Sequence, residues 1–86
     1  MKRIQVEVPL YSREEGIRLE WDTGFQIAVS CRGESVALKA NQAGLVSLAR
    51  LLLTLAQENV PVGYHVHLDE SNSLEDDSVE FLIEKS

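Results

Sequence analysis

Only one stretch of this chain repeats at the helical period. From Asn41 to Glu58 the apolar residues recur every three or four positions, whereas on both sides they recur every second position. One helix among several half-buried strands leaves few ways to close a core in 86 residues, because the helix must lie across one face of a sheet. The expected fold class is therefore α+β, with two layers: one amphipathic helix packed on a mostly antiparallel sheet.

The period-two rows are Ile4–Leu10, Ile17–Trp21, Phe25–Cys31 and Val36–Ala40 before the helix, and Tyr64–Leu68 and Val79–Ile83 after it. Turn residues punctuate them at Ser12–Gly16, Asp22-Thr23-Gly24 and Arg32-Gly33-Glu34. About six strands follow, in the order β-β-β-β-α-β-β, with short loops that favour a meander. Pro9 cannot donate to a ladder, which puts the first row at an edge or a strand end. The hydrophobic share of 44% and charged share of 26% are those of a globular chain, and 1–86 is expected to form a single domain.

Asn41 is a good N-cap, and at about 100° per residue Ser47, Arg50, Thr54, Gln57 and Glu58 gather into a polar stripe. Leu45, Leu48, Ala49, Leu52, Leu55 and Ala56 centre the opposite face. Leu45, Leu48, Leu52 and Leu55 are expected to bury against rows that include Val6, Leu19, Ile27, Leu38, Val66 and Phe81. Val46, Leu51 and Leu53 on the flanks make the apolar arc wider than one sheet requires, which admits a homodimer contact. The lone Cys31 falls in an inward row and is expected to be a buried, inert thiol.

Charge is unevenly placed. Residues 1–43 hold six bases and six acids, while residues 44–86 set only Arg50 and Lys85 against eight acids. Seven of those acids (Asp69, Glu70, Glu75, Asp76, Asp77, Glu80, Glu84) lie in the final hairpin, so the whole formal charge of −6 arises in the second half. Such a patch disfavours nucleic acid and favours a cationic partner. No apolar run is long enough for a membrane span, and MKRIQVEVPLY alternates where a signal peptide would be continuously apolar, so a cytoplasmic location is expected.

Catalytic machinery is not legible: there is no glycine-flanked serine, no Cys–His pairing and no phosphate-cradling glycine loop. His65 and His67 share one side of their strand, and Asp69 or Glu80 could supply a third metal ligand. The loop Asp69–Asp77 is rich in oxygens, but Leu74 stands where a calcium-binding loop of the helix-loop-helix type needs glycine, and is expected to anchor the loop to the core. Neither metal nor other cofactor is expected.

The segment Gly63-Tyr64-His65-Val66-His67-Leu68-Asp69-Glu70, followed by Asn72–Ser78 and the strand Val79–Glu84, resembles the C-terminal signature of small bacterial polymorphic-toxin immunity proteins, in the immunity group numbered thirty-two. The preceding strand and helix fit the same order, so the resemblance covers residues 34–86, with the N-terminal strands as an addition. It implies a non-catalytic protein that binds and silences a cognate toxin. The partner-binding residues that it and the charge imply are His65, His67, Asp69, Glu70, Glu75, Asp76 and Asp77. The alternatives are a small metal-dependent enzyme or metal sensor using His65, His67 and Asp69, and a structural interaction protein with another partner.

Overall fold

The computed structural model describes all 86 residues. It is α+β, with four strands and one helix: β1 (Ile27–Arg32), β2 (Ser35–Ala40), α1 (Gln42–Leu55), β3 (His65–Leu68) and β4 (Phe81–Glu84). The strands form two antiparallel ribbons, β1 with β2 and β3 with β4, rather than one six-stranded sheet. Gly33, at φ 61, makes the tight turn of the first ribbon, where Val29 pairs with Leu38 and Cys31 with Val36.

Two of the expected strands do not form. Ile4–Leu10 and Ile17–Trp21 hold no ladder, and the N-terminal segment contains only an isolated bridge from Ser12 to Gly16. Several of its backbone groups bond instead to side chains of the helix, of the turn that follows it and of Tyr64. Arg50 Nε donates to Glu7 O at 3.2 Å, Gln57 Nε2 donates to Pro9 O at 3.0 Å, and Tyr11 N donates to Gln57 Oε1 at 3.2 Å. Farther along, Ile17 N donates to the Tyr64 hydroxyl and Asp22 N to Ser47 Oγ, both at 2.9 Å. Alternation still places Ile17, Leu19 and Trp21 against the core, so period two survives as a packing pattern without a ladder.

The two ribbons are joined by an irregular stretch that bonds to the free edge of β1. Glu75 N donates to Ile27 O and Val79 N to Val29 O, each at 2.9 Å, and Val29 N donates to Ser78 Oγ at 3.2 Å. Between them Asp77 sits at φ 68, a left-handed conformation that no strand accommodates. The ladder is broken there, and β4 begins at Phe81 instead of Val79.

The helix is turned relative to its expected placement. Its buried residues are Gly44, Ser47, Leu48, Leu51, Thr54 and Leu55, a face rotated by roughly 100°, one residue's advance along an α-helix. Leu45 and Leu52, expected in the core, are 54% and 51% exposed, while Leu51, expected on a flank, is 4% exposed. The polar stripe is the cause. Ser47, Arg50 and Gln57 are the residues that hold the N-terminal segment, so that side of the helix is covered and the neighbouring apolar side is left open. Ser47 and Thr54 tolerate burial because each hydroxyl donates to the carbonyl four residues back, Ala43 O at 2.7 Å and Arg50 O at 2.6 Å.

Asn41 caps α1 as expected, its Oδ1 accepting from Gly44 N at 2.8 Å. The helix stops at Leu55, three residues short of Glu58, where Lys85 Nζ donates to Gln57 O at 2.6 Å and to Val60 O at 2.8 Å. Ile27, Val29, Leu48, Leu51, Leu68 and Leu74 form the buried cluster. Leu38 is not among them and is 37% exposed, although it pairs with buried Val29, because it lies on β2, whose far edge pairs with no other strand. Cys31, near the Gly33 turn and opposite exposed Val36, is exposed, contrary to its expected burial.

Candidate functional site

The second ribbon turns one face inward and one outward. Val66, Leu68, Phe81 and Ile83 pack on the core, so His65 and His67 on β3 and Glu80, Leu82 and Glu84 along β4 form the outward row. In the register His65 lies opposite Glu84 and His67 opposite Leu82. The two imidazoles are 5.1 Å apart, edge to face. His67 Nδ1 lies 3.5 Å from Glu80 Oε1, a contact that is an ion pair only when the ring is protonated. His65 Nδ1 faces Gly63 O at 3.1 Å.

Asp69 closes the ribbon and organises the acidic loop. Its carbonyl accepts from Ser73 N at 3.0 Å and Leu74 N at 2.9 Å, and its carboxylate accepts from Ser71 Oγ at 2.6 Å and Ser71 N at 2.9 Å. The Ser71 hydroxyl is the main cause that holds the Asp69 carboxyl below its ordinary range; desolvation opposes it, and backbone donors and the nearby His67 add to the lowering. Asn72 ties the loop back to β3 by donating to His67 O at 2.8 Å. Leu74 is 5% exposed and anchors the loop, as its place in the sequence suggested.

Of the residues expected to form the site, His65 and His67 stand along β3 with Asp69 just past its end, nearer to His67. Glu70, Glu75, Asp76 and Asp77 are exposed on the loop, with Glu75 lining a separate cleft with Gln26, Lys39 and Asn41. Sequence reasoning undervalued the β4 row. Glu80 stands out in the sequence as a hairpin acid and a spare metal ligand but not as part of a binding face, and Leu82, half exposed between two acids, is marked as outward only by its alternation with Glu80 and Glu84.

No group of three His, Cys, Asp or Glu side chains converges as a metal would require, so His65, His67 and Asp69 do not close into a ligand set. What the surface offers instead is charge without compensation. The three ion pairs of the molecule are Arg18–Glu15, Arg50–Asp22 and His67–Glu80, so no Lys or Arg reaches a hairpin carboxylate. Arg50 and Lys85, the bases of the acidic half, are occupied by Asp22 and by backbone carbonyls.

No curated protein and no solved structure matches the chain. A family model described as Immunity protein 32 does, over residues 35–86. That span takes in β2, the helix, the outward His–Glu row and the whole acidic loop, more than half of the chain, and the protein accordingly belongs to the immunity protein 32 family.

Proposed function

We propose that this protein neutralises a cognate, cationic toxin by binding it through the outward face of β3–β4 and the loop from Asp69 to Asp77. Family membership supports an immunity role, a toxin as protein partner and a non-enzymatic mode of action. The observation that carries the choice of surface is the uncompensated acidity: Glu70, Asp76, Asp77 and Glu84 are exposed and none has a Lys or Arg within ion-pair distance. Unpaired surface carboxylates contribute nothing to folding through ion pairing, yet they raise the rate at which a positive surface is captured. His65, His67 and Leu82 give the same face a partly apolar centre, and Glu80 rims it.

The test is an association-rate measurement with the toxin, obtained by co-expressing the neighbouring open reading frame. Asp76→Asn with Asp77→Asn is the suitable variant, because asparagine tolerates the left-handed conformation at position 77. Association should slow several-fold at low salt, and the difference should shrink as ionic strength passes about 0.15 M, where the Debye length is about 8 Å. An unchanged rate at low salt would refute the acidic surface.

A further inference from the structure

The rotation of the helix leaves uncovered a row whose spacing is that of a helix–helix seam. Leu45, Ala49, Leu52 and Ala56 follow one another at intervals of four, three and four residues. Leu45, Leu52 and Ala56 are exposed and Ala49 is half-buried. Alongside the seam stand Val46 and Leu53, the latter 50% exposed. At its N-terminal end a recess of about 440 Å³ opens between the helix and the segment carrying Ile4 and Val6.

We propose that this face is a homodimer interface in which the α1 helices of two copies pack antiparallel about a two-fold axis level with the Arg50–Leu51 peptide. In that arrangement Leu45 meets the second copy's Ala56, and Ala49 meets its Leu52, so each large side chain faces a small one along the whole seam. Val46 neighbours the second copy's Leu53, which enters the recess beside Ile4. The alanines allow the helices to approach to about 8 Å, the close end of the usual range. A two-fold contact needs a self-complementary patch, and this row is one.

Charge leaves the helix, and not the hairpin, open to a second copy, and the self-complementary row is what suits it. Two chains of formal charge −6 repel at any acidic face, whereas from Gln42 to Gln57 the only ionic residue is Arg50, which is engaged by Asp22 and Glu7 O. A cationic partner fits the hairpin; a second copy fits the helix. With roughly ten residues contributed per side, against about 20–30 in a standard interface, the dimer should be dissociable, with a dissociation constant in the micromolar range.

Sedimentation velocity across roughly 1–500 µM tests the proposal, spanning the affinity expected. The wild type should pass from monomer to dimer, and dimerisation should strengthen with salt as the repulsion between like-charged chains is screened. Leu52→Glu should weaken it at least about tenfold and leave the thermal midpoint unchanged at concentrations where the wild type is itself monomeric, since Leu52 is exposed in the monomer. Ala49→Leu and Leu52→Ala should each weaken it, and the two combined should restore it, because leucine then faces alanine again across the axis. A wild type that stays monomeric throughout overturns the proposal, as does a dimer that Leu52→Glu leaves intact. Loss of toxin protection in Leu52→Glu, in a protein monomeric at every concentration, would assign the face to the toxin and overturn it as well.

Discussion

Ser47 shows how much a single hydroxyl decides. It is fully buried, donates to Ala43 O at 2.7 Å and accepts from Asp22 N at 2.9 Å, and so serves both as an internally satisfied core residue and as the clasp of the N-terminal segment. Ser47→Ala should cost about 1–3 kcal/mol in denaturant unfolding, because the Asp22 amide loses its partner in a partly buried position. Leaving stability unchanged would mean that water replaces the hydroxyl. Asp69 is a second such residue. Its folded carboxyl titrates below its unfolded value, chiefly because Ser71 Oγ donates to it, so its contribution is complete above the ordinary carboxylate range and is lost as pH falls through the lowered folded value. Asp69→Asn should therefore flatten the fall of stability below about pH 4, and an acid limb identical to wild type would count against the Ser71 contact.

Among the elements, the helix carries the sharpest expectations. Leu51→Ala should cost about 2–5 kcal/mol, whereas Leu52→Ala in the monomer should cost under about 1 kcal/mol, the reverse of what the helical wheel alone implies. Equal losses at the two positions would show that the helix is not rotated. Gly44 sits in the first turn of α1, where alanine would ordinarily gain up to about 1 kcal/mol of helix propensity. A Cβ there would lie 2.6 Å from Gln26 O and 3.0 Å from Ile27 Cγ1, so the helix start would have to lift off β1. Gly44→Ala should lose about 1–3 kcal/mol net, and a gain in thermal midpoint would refute the close approach.

At the scale of the molecule, the face proposed for the toxin and the face proposed for a second copy differ in charge. The hairpin presents uncompensated carboxylates, and the helix presents an apolar row with its one base tied inward. Opposite salt responses should result: toxin capture slows as salt rises, and self-association tightens. Both can be followed on one preparation by measuring toxin association and sedimentation at about 0.05 and 0.5 M salt, between which the Debye length falls from about 14 to about 4 Å. If both weaken together, the two faces are not electrostatically distinct. The N-terminal segment belongs to this scale too. It is held by the side chains of Arg50, Gln57, Asn59 and Tyr64, which tie residues 7–17 to the helix and to the start of β3.

Local pattern was sufficient for whatever depends on neighbours in the chain. The α+β class, the N-cap at Asn41, the first ribbon and the second, the outward placement of His65 and His67, and the anchoring of the acidic loop by Leu74 all follow from periodicity, capping and turn chemistry, which act over a few residues. Motif resemblance likewise located the family, because its signature lies in one continuous segment. Only the tertiary structure decided how many strands exist and which way the helix faces. A backbone amide in Ile4–Trp21 is satisfied equally by a ladder or by a helix side chain, and alternation cannot distinguish the two. Ser47, Arg50 and Gln57 look like a solvated stripe until the N-terminal segment is laid across them. Their long-range hydrogen bonds span 25 to 48 residues of sequence, beyond the reach of any local rule, and they turn the leucine row of the helix from core into surface.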